Sequence, residues 1–206
     1  MSFKDVILSV AKNLKKPEKE QKMERIAGFE KVSEDIFTAE AFESLDLLPD
    51  EAHEAYEALK YPERATKGSA GYDFYAPADI TLAPGESVKV PTGMRARMED
   101  GWVLMIFPRS GMGFKYRLML DNTVGVIDAD YYNSDNEGHI MIKITNNSAL
   151  GSVQKCTPDD GEPEISGKVL HISAGQAFAQ GVFLPFGITT DDDVENERNG
   201  GFGSTG

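Results

Sequence analysis

A single cysteine, Cys156, occurs in 206 residues. An internal disulfide and any multi-cysteine zinc site are therefore excluded, and a reducing, cytoplasmic compartment is the expected setting. Cations are also scarce: 21 Lys and Arg stand against 34 Asp and Glu, for a formal charge of −13. Affinity for a nucleic-acid polymer comes largely from Lys and Arg neutralising phosphates, so that class of partner is excluded. A small phosphorylated ligand stays open if local cations or a bound metal offset the field. No apolar run approaches the ~20 residues of a membrane span, and the opening "MSFKDVILSVAKNLKK" has too short an apolar stretch for a signal peptide, so a soluble, unprocessed protein is expected. Common catalytic signatures are missing too. His53, His139 and His171 show no ligand spacing, and neither H-E-x-x-H nor G-x-S-x-G occurs. "GEPEISGKV" approximates a phosphate-binding P-loop, but its glycines are one residue too far apart and Val169 stands where Ser or Thr is needed.

What is present is 40% hydrophobic residues, enough for a sizeable core. Phe3, Val6, Ile7, Val10 and Leu14 recur at helical spacing, with Ser2 and Asp5 as a capping pair, so residues 2–15 are predicted as an amphipathic helix. "RIAGFEKV" reads as a strand. Residues 38–60 are acidic and helical in pattern, interrupted at Pro49 with Asp50 placed to cap the second half, which predicts a helical hairpin on the surface. From Gly68 onward "SVKV", "WVLMIF", "YRLML", "TVGVI", "HIMIKI" and "FAQGVFL" alternate with turn signals such as Pro84-Gly85, the texture of a β-sandwich or barrel. A turn-rich stretch at about 149–172 reads as an inserted loop or hairpin. The expected organisation is a helix and connector over 1–24, a β domain over 25–197 and a distinct tail over 198–206.

Polar residues follow several apolar runs directly, at strand ends where a scaffold presents groups to a ligand. Arg109 and Ser110 can bond phosphate oxygens, and Gly111 lets a ligand approach the backbone; a plain strand-ending turn accounts for the same letters. Asp128 ends an apolar run, where a carboxylate can take a proton from water, and Tyr131 offers a flat face to a sugar or base. Asp128 and Asp130 would share one strand face, so a metal pair or a solvated turn both fit. Asn122 has donor and acceptor together, as the edge of a base requires. Gln180 sits within an apolar strand and needs a partner if buried. The tail "RNGGFGSTG" suits either a flexible end or a lid whose backbone amides and hydroxyls cup an anion.

In order, "SAGYDFYAP", "PRSGMGFK", "NTVGVIDADY", "GQAFAQ" and "GGFGSTG" resemble the five motifs of the trimeric dUTPase family, from about Thr66 to the C-terminus. The resemblance implies a mainly β fold: a β-barrel or jelly-roll core, here with an N-terminal helix and an inserted helical hairpin. It implies a homotrimer that shares its active sites between chains and hydrolyses dUTP to dUMP and pyrophosphate with Mg²⁺, limiting uracil in DNA and supplying dUMP for dTMP synthesis. It assigns to Asp128 activation of the water that attacks the α-phosphorus, and to Tyr131 the ring against deoxyribose. Asn122, the backbone of Gly125, Val126 and Ile127, and Met141 fall where uracil is read. Arg109, Ser110, Gly111 and Gln180 fall on phosphate contacts. Phe202 falls on the ring covering uracil; Gly203, Ser204 and Thr205 fall on the wrap around the terminal phosphates, with Arg198 upstream. Asp73 matches the first motif's acid, expected to act through the metal's water shell or the subunit contact.

Four departures from the family pattern are visible. "YYNSDNEGHI" is longer than usual before Gly138, Arg198 stands one residue closer to Phe202, the 38–60 hairpin separates the first strand from the first motif, and the 149–172 stretch enlarges a loop. Either extra segment offers a surface to a protein partner. Two other functions suit the same fold, a dCTP deaminase and a nucleotide-responsive binding protein. The first is disfavoured by Met141, Ile142, Lys143 and Ile144 standing where a catalytic glutamate would lie.

Overall fold

Successive strand residues point to opposite faces, so strands with one buried face alternate buried with more exposed side chains whatever their polarity. The computed structural model of the chain, which describes residues 23–149 and 167–196, is built mainly from such segments. Its strands are β1 (Ala27–Lys31), β2 (Glu63–Arg64), β3 (Tyr72–Tyr75), β4 (Ile80–Leu82), β5 (Ser87–Pro91), β6 (Met94–Met98), β7 (Trp102–Pro108), β8 (Leu118–Leu120), β9 (Gly125–Ile127), β10 (Met141–Asn146), β11 (Leu170–Ile172) and β12 (Ala177–Pro185). Helices α1 (Glu34–Leu45), α2 (Pro49–Glu57) and α3 (Ser110–Tyr116) and a 3-10 helix (Ala129–Asn133) complete the described elements.

The sheet that positions the site runs β2-β3-β12-β7-β9, with β9 at its edge. A second sheet runs β5-β10-β8, and two antiparallel pairs, β1-β6 and β11-β4, flank them. No single ring of hydrogen bonds closes among the described strands; the arrangement is jelly-roll-like. Phe74, Leu104, Ile106, Leu118, Ile144 and Phe178 fill the interior, each side chain contributing about 1.5–3 kcal/mol by leaving water.

The helical segment differs from expectation in its bounds and its burial. The first helix begins at Glu34, because Ser33 takes an extended conformation as N-cap and its Oγ accepts from the Ile36 amide at 3.4 Å. Pro49 opens α2 rather than interrupting a helix, and Asp50 lies inside the first turn while Leu48 is the N-cap. The Leu48 amide donates to the Glu51 carboxylate at 2.8 Å. Phe37, Ala41 and Ala52 are fully buried with Val32, so the pair carries a small core of its own on one face while the other face stays exposed at the surface. That core presses on the turn between β5 and β6 at Gly93, whose φ is +69° and where a Cβ would come within 2.2 Å of Leu59.

Two further readings change. "PRSGMGFK" forms helix α3 from Ser110, with the Arg109 carbonyl accepting from Met112 and Gly113 at 3.0 Å each, and only Leu118–Leu120 of "YRLML" is strand. Of the stretch at 149–172 read as an inserted loop or hairpin, the last three residues are β11, paired with β4, and residues 150–166 lie outside the described ones. The predicted helix over 2–15 and the tail over 198–206 lie outside the described residues.

Candidate active site

The turn from β8 into β9 carries Asn122 and holds Thr123 at φ +62°. Gly125 then lies opposite Ile106 in β7, where a Cβ would meet the Ile106 Cβ at 3.1 Å. Strand β9 pairs with β7 on one side only, in the register Leu104↔Ile127, Met105↔Val126, Ile106↔Gly125. Among the described strands none pairs with its other edge, which therefore presents backbone N–H and C=O groups. Beside β9 is a cleft lined by Ile106, Leu120, Asn122, Gly125, Val126, Ile127, Met141, Ile142 and Lys143. All five residues the motifs assign to a base, Asn122, Gly125, Val126, Ile127 and Met141, line it together. A free strand edge beside a side-chain amide suits the alternating donors and acceptors of a pyrimidine.

Lys143 is a lining residue that motif reading missed, although its two-residue spacing from Met141 puts both on one face of β10. Its Nζ lies 3.0 Å from the Asp121 carboxylate. Burial alone would raise the Asp121 pKa, but hydrogen bonds from Thr145 and Lys143 outweigh it and hold the carboxyl below its ordinary value.

Asp128 follows β9 as the N-cap of the 3-10 helix, half-buried, its carbonyl accepting from the Tyr131 amide at 3.2 Å. Asp130 lies in the first turn of that helix, so the two acids do not share a strand face, and among the described residues no group of three or more His, Cys, Asp or Glu is placed to hold a metal. The flat face expected of Tyr131 is mostly enclosed: the residue is 4% exposed. Its hydroxyl donates to the His139 carbonyl at 2.9 Å and accepts from Asn136 Nδ2 at 2.8 Å.

The phosphate candidates gather elsewhere, around Arg109. Its amide donates to the Phe178 carbonyl at 3.1 Å, and its Nε lies 3.1 Å from Asp73, whose side chain is 14% exposed. Gln180 stands between them, across from Asp73 in β3 and Phe107 in β7. The partner Gln180 requires is the Pro108 carbonyl, 3.3 Å from its Nε2, and Gly71 leaves it room, since a Cβ there would come within 2.7 Å of Gln180 Oε1. Arg109 sits between two clefts. One includes Ser69, Gly71, Asp73 and Gln180; the other includes Ser110, Gly111, Lys115 and His171. Lys115 and His171 were not singled out in sequence; Lys115 lies one turn beyond Gly111 and adds a cation to the second cleft.

The register separates these two groups. Ile127 faces Leu104, so Asp128 comes beside Val103, and Arg109 lies six residues further along β7. At ~3.3 Å per residue that is on the order of 20 Å. Arg198, Phe202, Gly203, Ser204 and Thr205 lie outside the described residues.

A family model described as dUTPase matches residues 57–150. A deoxyuridine 5'-triphosphate nucleotidohydrolase of Lactococcus lactis is 40% identical over 151 residues, covering 72% of this chain and 89% of that protein. One from Escherichia coli is 35% identical over 153 residues, covering 70% and 86%. Among solved structures, a dUTPase from Streptococcus mutans superposes with a TM-score of 0.53 at 32% identity, covering 79% of this chain and 98% of that one. A mutant dUTPase from phage phi11 of Staphylococcus aureus, described as coordinating a structural Mg(II) ion, gives a TM-score of 0.53 at 25% identity, covering 84% and 98%.

Proposed function

The chain belongs to the dUTPase family, and from that premise we propose how its residues hydrolyse dUTP to dUMP and pyrophosphate. Uracil enters the cleft beside β9, where the free backbone edge of Gly125, Val126 and Ile127 and the Asn122 amide meet its carbonyl and N–H groups, with Met141 as an apolar wall. Cytosine reverses part of that pattern and leaves buried polar groups unpaired. Tyr131 bounds the sugar with its ring edge, the face being enclosed. Asp128, one residue past the base-reading edge, takes a proton from a water aimed at the α-phosphorus. The P–O bond to the β-phosphate breaks as the new P–O bond forms, and pyrophosphate departs.

The donor set fits Mg²⁺ carried mainly by substrate phosphates. Mg²⁺ commonly keeps several waters, and Asp73, oriented by Arg109 at 3.1 Å, would hold the ion through one of them. When bound, the ion neutralises charge on the departing pyrophosphate. Arg109, Ser110, Gly111 and Gln180 hold the phosphates, and the tail residues Arg198, Phe202, Gly203, Ser204 and Thr205 close over base and terminal phosphates.

Arg109 and Asp128 of one chain lie on the order of 20 Å apart by the β7–β9 register, which supports a site assembled from neighbouring copies, in the homotrimer that the resemblance implies. The observation that supports the reading is that the five residues the resemblance assigns to the base line one cleft, three of them on β9 immediately before Asp128. Incubation with Mg²⁺ and dUTP, UTP or dCTP tests it: dUMP and pyrophosphate are expected from dUTP, and loss of turnover in Asp128→Asn. Ammonia from dCTP would replace the reading with a deaminase.

A further inference from the structure

Two segments that depart from the family's motif pattern, the helical pair over 34–57 and the lengthened loop after Tyr131, meet in three dimensions. The Ser33 amide, at the N-cap of α1, donates to the Glu137 carboxylate at 2.7 Å, across 104 residues of sequence. Two residues on, His139 is fully buried; its Nε2 accepts from the Gly93 amide at 2.9 Å, and its ring faces Phe37 of α1 at 6.4 Å between centroids.

From Glu137 the contacts run back to the 3-10 helix. Glu137 at φ +58° and Gly138 at φ +70° turn the chain, and Gly138 has no room for a side chain, since a Cβ would lie 2.7 Å from Tyr132 Cα. Ser134 Oγ donates to the Tyr131 carbonyl at 2.7 Å and accepts from the Gly138 amide at 3.2 Å. Asn136 and the His139 carbonyl hold the Tyr131 hydroxyl, as described above. Beneath the same element, Tyr132 donates to Glu30 of β1 at 2.6 Å, and Arg95 lies over its ring at 4.4 Å.

We propose that the helical pair and the long loop form one clamp, joined by Ser33 and Glu137, that positions Asp128 and Tyr131 for the reaction. Glu137 and Ser33 are positioning residues: they act by setting the path of the segment that carries Asp128 and Tyr131. The inference rests on the dUTPase reading for its consequence and on the hydrogen bonds for its existence. A misplacement of about 1 Å in a reacting group lowers turnover by up to about 100-fold, so an anchor at this site has leverage on catalysis out of proportion to its exposure.

Four variants test the clamp. Glu137→Ala removes the acceptor, while Glu137→Gln keeps one. Ser33→Pro removes the donor N–H at a residue whose φ of −61° suits proline, and Ser33→Ala keeps it. Steady-state rates with dUTP and UTP, thermal melting, and amide hydrogen exchange are measured for each trimer. Glu137→Ala and Ser33→Pro should lower kcat for dUTP by about 10-fold or more, narrow the preference for dUTP over UTP, and speed exchange over 128–138, with Glu137→Gln and Ser33→Ala close to wild type. Unchanged exchange over 128–138 overturns the clamp whatever the activity. Faster exchange with unchanged kcat and sugar preference overturns its positioning role. A wild-type protein inert towards dUTP overturns instead the reading on which that role rests.

Discussion

If the site is built between copies, two inactive chains should repair one another. Asp128→Asn removes the base and Arg109→Gln removes a phosphate contact, at positions on the order of 20 Å apart along β7. Loss of a general base costs about 10²–10⁴ in rate, and loss of a preorganised charge-stabilising donor about 10²–10³, so each parent trimer should fall to about 1% of wild type or less. Co-folded in equal amounts, half of the Asp128 positions and half of the Arg109 positions are intact. With the two drawn from different chains, each trimer carrying both tags holds two copies of one parent and one of the other, so one of its three sites, about a third, has both groups intact. The assay is pyrophosphate release from dUTP by the mixed trimer, isolated with a different tag on each parent. Recovery near that fraction is expected. Activity no higher than the parents would mean that Arg109 and Asp128 act within one chain, and the proposed assembly would be wrong.

Other consequences are more local. Gly125→Ala should raise KM for dUTP by about 10-fold or more, because its Cβ sits 3.1 Å from Ile106 and displaces the base-reading edge; steady-state kinetics check it. Phe37→Ala should cost about 3–5 kcal/mol of stability in denaturant unfolding, because Phe37 is fully buried at the centre of the helical pair's core. Burial pushes the His139 pKa down to about 4 from an ordinary 6.5. The unfolded chain therefore takes up a proton that the folded chain refuses, so stability is full above pH 6.5 and falls as pH drops towards 4, by about 3 kcal/mol. Urea titrations at pH 7 and 4.5 should show the loss, and His139→Gln should lessen it.

Local pattern made much of this molecule legible. Runs such as "WVLMIF" and "FAQGVF" are strands because their alternate residues fill the core. The order of the motifs led to five residues that share one cleft. Strand β6 was readable but missed: Met94, Ala96 and Met98 alternate with Arg95 and Arg97 in strict period two. Helix α3 was hidden by Gly111 and Gly113, which carry poor helix propensity and fitted a turn equally well. Other features are non-local and have no signature in one sequence. The distance from Asp128 to Arg109 follows from the β7–β9 register, and the bond from Ser33 to Glu137 joins segments 104 residues apart. Acidic letters in 38–60 marked the solvated face of the helical pair, while its buried face, Phe37, Ala41 and Ala52, packs a small core that the pattern did not reveal.

The most direct test is where the oxygen of water goes. Hydrolysis of dUTP in ¹⁸O-water, read by mass spectrometry of both products, should place the label in dUMP and none in pyrophosphate, with Asp128→Asn releasing neither product at a comparable rate. Label in pyrophosphate would mean attack at the β-phosphorus, and full activity without Asp128 would mean another base; either result contradicts the account.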